Sequence, residues 1–358
     1  MTMTAQKTAM ALATGLLLAS SAIAQTAPTV TLYGRIDLGL ESANDGALTR
    51  TMLQNYASRI GFKGERGFSG DLAGVFQVET GVAPDDTSQS KAFANRNSFV
   101  GLKSKSMGTF LVGTYDSPLK SLDAGGYAGT LYGEGEAMEV IIHGKGTATV
   151  GKTTFGDVHT RAKNNIVYIS PKFSDVVVKG SYSLADDAQT AILNQPLYAA
   201  SLEWNNGTYN AGIATQTQEV SSNFFGMTAT KFTLGAKMDT LSGAIVVSAL
   251  DNQAPIASNV RKTTNTLFVV NYGVGAMTYK FNYGTSSESK SSGADDLTMI
   301  GLEAAYALDK QTIIYGNYAQ ITNNTKGLGE LVGSDSKVKA AAAGNDPTAI
   351  TIGIRYNF

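Results

Sequence analysis

Val30 to Leu40 reads VTLYGRIDLGL. In an extended chain, successive side chains point to opposite sides. Leu32, Gly34, Ile36, Leu38 and Leu40 therefore share one face, and Tyr33, Arg35 and Asp37 share the other. The same period of two continues along the chain. Ile60 and Phe62 oppose Arg59 and Lys63; Phe232, Leu234, Ala236 and Met238 oppose Lys231, Thr233 and Lys237. Met277, Tyr279, Phe281 and Tyr283 oppose Thr278, Lys280 and Asn282, and Ile350, Ile352, Ile354, Tyr356 and Phe358 oppose Thr351, Arg355 and Asn357. Each segment is a strand with one apolar and one polar face, so the chain is all-β.

A soluble sandwich carries the same alternation with its polar faces outward, and the connections separate the two architectures. Short Gly/Asn/Ser/Pro/Asp turns lie near 67–70, 106–108, 171–175, 205–207, 239–243, 273–275 and 309. Longer polar stretches lie at roughly 41–57, 81–92, 116–163, 185–196, 217–227, 251–263, 284–296 and 323–347. Seven short turns alternating with eight long loops make sixteen strands. An even strand number with loop lengths segregated to the two ends is the layout of an antiparallel transmembrane β-barrel, with short periplasmic turns and long external loops. In hydrocarbon every backbone donor and acceptor must pair within the sheet, so the sheet closes. The apolar faces then meet lipid, and Arg35, Arg59, Lys63, Lys231, Lys280 and Arg355 look into a water-filled lumen. Tyr182, Trp204, Tyr279, Tyr283, Tyr306, Tyr356 and Phe358 are the expected aromatic girdles. On this register, Ile352→Arg should be tolerated far less well than Arg355→Ile.

Composition narrows the function. The 358 residues include 39 Gly and no Cys, which excludes structural disulfides, thiolate catalysis and Cys-ligated zinc. Lys plus Arg is 28 against 29 for Asp plus Glu, a formal net charge of −1, so no basic face for nucleic acid is expected. Near the N-terminus, Lys7 precedes the apolar run Ala9 to Leu18, and Ala22-Ile23-Ala24 is a cleavage signature. Residues 1–24 are expected to be a cleaved signal peptide, leaving a single barrel domain over 25–358. No run of about 18 apolar residues follows, so helical membrane spans are not expected.

Several ordered segments together carry a resemblance. VTLYGRIDLGLE opens the barrel, followed by ASRIGFKGERGFSGDLAGVFQVETG, NRNSFVGLKS, GTFLVGTYDSP, NNIVYISPKFS, ALDKQTIIYGNYA and the ending TIGIRYNF. The chain resembles the Gram-negative general diffusion porins of the betaproteobacterial, neisserial-like outer-membrane family. That resemblance implies a homotrimeric channel, surrounded by outer-membrane lipid and lipopolysaccharide, for passive diffusion of ions and small hydrophilic solutes. It implies no reaction and no cofactor. It further implies that the third external loop folds into the lumen, and that Tyr356 and Phe358 are read by the outer-membrane insertion machinery.

The stretch 116–163 is the third and longest loop, and its first half carries Asp116, Asp123, Glu134, Glu136 and Glu139. Facing a basic wall, these acids would set a transverse field across the narrowing and select by charge as well as size. The wall candidates are Arg35, Arg59, Lys63 and Arg96. Arg96 shares the parity of Val100 and Leu102, so it reaches the lumen only across a bulge or a strand start. Thr114 and Val167 stand where the family often has basic residues, which thins the wall and leaves ion selectivity open.

Other motifs carry less. Gly146 to Thr153 matches the Walker A pattern, but Phe155-Gly156-Asp157 breaks the helix that phosphate binding needs. Ser117 to Lys120 matches S-x-x-K without its companion motifs. His143 and His159 lack a third histidine for zinc, and Asn206-Gly207 reads as a hairpin turn. Alternatives to the diffusion porin are a solute-specific channel, marked by an aromatic track in the lumen, and a secreted soluble β-protein such as an adhesin.

Overall fold

In the computed structural model, the described residues are 29–68, 70–86, 91–124, 126, 131–143, 158, 161–184, 196–219, 226–253, 261–289, 293–333 and 337–358. The expected signal peptide, the Walker-like stretch 146–153 and His159 lie outside them. Among the described residues the barrel strands are β1 (Thr29–Asn44), β2 (Thr49–Asn55 continued by Arg59–Gly67), β3 (Leu72–Gly81) and β4 (Ser98–Ser104). They continue as β5 (Gly108–Asp116), β6 (Arg161–Ile169), β7 (Val176–Ser183), β8 (Leu197–Asn205), β9 (Tyr209–Gln218) and β10 (Gly226–Met238). The last six are β11 (Leu241–Gln253), β12 (Arg261–Val274), β13 (Met277–Ser286), β14 (Leu297–Ala307), β15 (Thr312–Asn323) and β16 (Thr348–Asn357). Each pairs antiparallel with its sequence neighbours, and β1 also pairs with β16, which closes the sheet into the expected sixteen-stranded barrel.

Two boundaries differ from the sequence reading. The first external connection is not a loop over 41–57: β1 continues to Asn44, β2 begins at Thr49, and they meet residue by residue. The second strand is broken at Tyr56-Ala57-Ser58, with Ala57 at φ 60°. The break changes parity. Leu53 points outward before it and Phe62 after it, while Tyr56 turns inward, fully buried, and donates to Glu41 Oε2 at 2.6 Å.

The outer face is apolar. Leu32, Phe62, Val100, Phe110, Phe232, Phe281 and Ile352 are all exposed there, as an antiparallel sheet facing hydrocarbon requires. Trp204, Tyr209, Tyr272, Tyr279, Tyr306, Tyr356 and Phe358 sit on strands near the short turns. Tyr182 and Tyr198 stack at 4.9 Å toward the opposite end. Tyr283, like Tyr182, lies six residues beyond the start of a strand that follows a short turn.

The lumenal face is polar on one side and apolar on the other. Val246, Leu267, Val269, Met299 and Ile321 point inward from β11 to β15 and are buried. Their cover is the third loop, joined by Leu331, Val332 and Val338 of the last long loop.

Candidate functional site

The third loop leaves β5 at Asp116 and turns at once into a short helix, α1 (Pro118–Ser121). Ser117 Oγ accepts from Lys120 N at 3.1 Å and Pro118 occupies the first turn, the chemistry of a helix start rather than of a catalytic Ser-Lys pair. Leu119 and Leu122 bury against Ala214, Met227 and Ala229 of the wall. Gly212 makes the room, since a Cβ there would meet Leu122. Further on, a single wide turn of π-helix, α2 (Met138–Ile142), presses Met138, Val140, Ile141 and Ile142 into the apolar half of the wall. Ser248 Oγ donates to the Ile142 carbonyl at 2.8 Å, satisfying one end of that turn. The loop thus lies inside the barrel along the lumenal face.

Polar contacts fasten it between these apolar anchors. Tyr132 N donates to Glu303 Oε2 at 2.5 Å, and Lys280 Nζ bonds Glu303 at 2.8 Å. The Tyr132 ring carries Lys280 Nζ 3.7 Å from its centroid and the Arg355 guanidinium carbon 4.2 Å from it. Asn317 Nδ2 donates to the Glu134 carbonyl at 2.7 Å. Lys231 does not look at water as the sequence suggests. It is fully buried beneath the loop, with His143 Nε2 3.1 Å from its ammonium.

Opposite the covered half stands a belt of arginines. Arg35 and Arg59 are register partners across β1 and β2 and share the lumenal face. Arg59 reaches Glu79 at 3.8 Å, Arg96 Nε reaches the same carboxylate at 2.5 Å, and Tyr33 donates to it at 2.9 Å. Arg96 stands just before β4, and its amide donates to the Glu79 carbonyl. That strand start brings it into the lumen despite its parity. Arg355 pairs with the buried Asp37, which also accepts from Tyr315 at 2.9 Å. Arg161 lies 3.2 Å from Asp116 and Lys120 lies 2.7 Å from it, with Asn97 bonded to both Arg161 and Asp116. Burial beside the lumen lowers the Lys120 pKa, with Asp116 working against that shift. Arg35 Nε is buried without a hydrogen-bond partner among the described residues.

The proposed site residues therefore divide. Arg35, Arg59 and Arg96 come together. Lys63 shares their face four residues beyond Arg59, toward the short turns. Asp116 is part of the belt itself, paired with two cations. Among the loop acids, Asp123 is exposed and Glu136 is partly exposed. Glu134 and Glu139, by contrast, are sealed between loop and wall, because α2 and the Gly133 approach to Asn317 and Thr351 draw that side of the loop onto the sheet. Arg161, Arg355, Lys280 and Tyr132 were missing from the sequence-derived set. Arg355 and Lys280 were legible as lumenal cations, while Arg161 was hidden in what reads as loop.

A closed sixteen-stranded barrel with an apolar exterior, a charged lumen and an inserted third loop defines a diffusion channel of the outer membrane. The comparisons agree: residues 8–326 match the family model for Gram-negative porins, and the chain belongs to that family. It is 24% identical over 358 residues to the major outer membrane protein P.IB of Neisseria lactamica, covering 92% of this chain and 94% of that one. It is 25% identical to outer membrane porin protein 32 of Delftia acidovorans, with 95% and 97% covered. Among solved structures, the anion-selective porin from Comamonas acidovorans superposes with a TM-score of 0.76 at 21% identity, covering 93% of this chain and all of that one. The chain is an outer-membrane porin for passive diffusion of solutes.

Proposed function

We propose that the arginine belt and the third loop form the constriction of this porin, and that it favours small anions. The carrying observation is the charge count at the belt. Arg35, Arg59, Arg96, Arg161, Arg355 and Lys120 face Asp37, Glu79 and Asp116. Of the loop acids, Glu134 and Glu139 are turned into the wall, which leaves Asp123 and Glu136 as those that keep exposure. The excess is positive in a confined, water-filled passage, where fields are weakly screened. The likeness to a porin described as anion-selective supports the same sign. Arg96 and Arg161 add cations to a wall that Thr114 and Val167 leave uncharged.

The same reading makes residues 1–24 a signal peptide, Tyr356 and Phe358 the assembly signal, and the working unit a homotrimer without catalytic activity. A structural neighbour solved in a trimer form supports the trimer. The test is the reversal potential of the purified protein in a planar bilayer under a tenfold KCl gradient. A potential of the sign set by chloride supports the proposal, and one set by potassium refutes it.

A further inference from the structure

We propose that the lumen on the short-turn side of the arginine belt holds a binding site for aromatic monocarboxylates, formed by Lys63, Val75, Phe99, Leu111, Tyr115 and Ile169. The inference rests on the channel reading and adds a ligand class to it. The pairing register builds the site. Lys63, Gln77, Phe99 and Gly113 lie on one rung across β2 to β5, and Val75, Gly101, Leu111 and Val167 lie on the next. All point inward. From β11 to β15 the apolar part of the lumenal wall is covered by the third loop and by Leu331, Val332 and Val338 of the last long loop. Here Val75, Phe99, Tyr115 and Ile169 remain partly exposed around a cavity of 440 Å³. That volume suits one ring with a short side chain.

The local backbone shapes the cavity for a ring. Gly113 sits opposite Phe99 at φ 140°, and the register slips between Gly113 and Tyr115. The extra residue lies in β6, where Lys163 and Asn164 (φ 48°) face Thr114 alone, so Tyr115 keeps the inward alternation of Leu111 and Gly113. Tyr115 meets Phe99 edge-on, with centroids 5.3 Å apart and planes at 78°. Two rings at right angles offer a third ring one face and one edge, the two geometries that aromatic contacts prefer.

Charge then selects among ring compounds. The Lys63 ammonium rests 5.1 Å from the Tyr33 ring centroid, and no carboxylate of the described residues pairs with it. The acid that also borders the cavity, Glu65, is already neutralised by Lys103 at 2.9 Å. One uncommitted cation beside an apolar corner matches one carboxylate on one ring. Lys63 stands four residues from Arg59, about 13 Å along the strand at 3.3 Å per residue. An anion drawn through the belt therefore meets it next.

The experiment records single-channel KCl current in about 0.1 M salt, a Debye length of about 10 Å, while 3-phenylpropionate, acetate or benzyl alcohol is titrated in. We expect 3-phenylpropionate to interrupt the current at concentrations at least about tenfold below either control, as a combined ring and charge contact requires. Phe99→Ala and Lys63→Gln should each raise the half-blocking concentration several-fold. Lys63→Gln removes an exposed ammonium with no ion pair among the described residues, so it decides the matter should Phe99→Ala fail to assemble. Block no better than acetate, or block unchanged in the variants that conduct, overturns the site while leaving the channel intact. Absence of KCl conductance in the unmodified protein overturns the channel reading and this inference with it.

Discussion

The amide of Gly34 donates to the carbonyl of Phe358 at 2.9 Å, and the amide of Phe358 returns a bond to the carbonyl of Gly34 at 3.1 Å. Residue 358 thus seals the seam of the barrel against β1. Its ring lies over Gly34, where a Cβ would collide with that ring and with the Arg59 carbonyl. A closed sheet in lipid leaves no tolerance for an unpaired edge. This pair closes the last rung of a seam that runs on from Arg35 opposite Asn357 to Asn44 opposite Thr348.

Deleting Phe358 removes both bonds and the ring together. Export should survive, while folded protein in the outer-membrane fraction falls sharply and unfolded chain collects in the periplasm. Gly34→Leu, which keeps the terminal residue but displaces its ring, should reproduce part of the loss. Unchanged folded yield in the deletion, read by heat-modifiable migration on gels, would remove the assembly role.

The lipid-facing register makes a second prediction, with a correction. Ile352 is 65% exposed on the outer face, so Ile352→Arg should cost about 2–4 kcal/mol near the bilayer midplane. The sequence suggested that Arg355→Ile would be mild. It should instead be costly, because Arg355 is the cation paired with fully buried Asp37, and breaking a buried pair from one side costs about 3–5 kcal/mol. Adding Asp37→Asn to Arg355→Ile should recover much of that loss in urea unfolding from lipid vesicles, whereas Asp37→Asn should leave Ile352→Arg uncorrected. Equal behaviour of the two double variants would refute the assignment.

Strand number and the faces of β1, β10, β13 and β16 were legible because a period of two is a local property of the chain. The break in β2 was not. Its positive-φ residue is Ala57 rather than a glycine, so nothing at 56–58 marks it, and the inward turn of Tyr56 depends on the distant Glu41. The loop's resting place did leave a trace. Ile245-Val246-Val247 and Leu267-Phe268-Val269-Val270 are apolar on both faces, the signature of strands buried on both sides. Those runs mark the wall that α2 covers. Which loop acids would be sealed could not be read, because Glu134, Glu136 and Glu139 differ only in how the docked loop turns them.

The buried His143 makes docking sensitive to acid. Burial, with the neighbouring Lys231 second, pushes its pKa down to about 4 from an ordinary 6.5. Glu139 and Lys120 also face it and pull in opposite directions. The unfolded chain therefore binds the proton more readily than the folded one between those values. Stability is fully present above about pH 6.5 and is lost as pH falls toward 4, by up to about tenfold in the folding equilibrium per pH unit for one proton. His143→Gln should flatten that part of the stability profile measured by thermal unfolding in detergent. An identical slope in the variant would mean that other groups carry it.

The last prediction separates the loop acids by where the structure puts them. Asp123 and Glu136 retain exposure to the lumen, whereas Glu134 and Glu139 are sealed against the wall. A charge acts on a passing ion only through water or across a short gap. Asp123→Asn with Glu136→Gln should therefore shift the reversal potential further toward anions. Glu134→Gln with Glu139→Gln should leave it nearly unchanged and act instead on loop stability. Neutralising Arg35 and Arg59 should move it toward cations, and by more than either acid pair, because the belt lines the open side of the passage. At about 0.1 M salt the Debye length is about 10 Å, and at about 1 M it shrinks to about 3 Å, so the exposed-acid and arginine shifts should both contract as salt rises. If the sealed pair shifts selectivity as strongly as the exposed pair, those acids reach the ion path, and the docking of the third loop against the wall is not the conducting state.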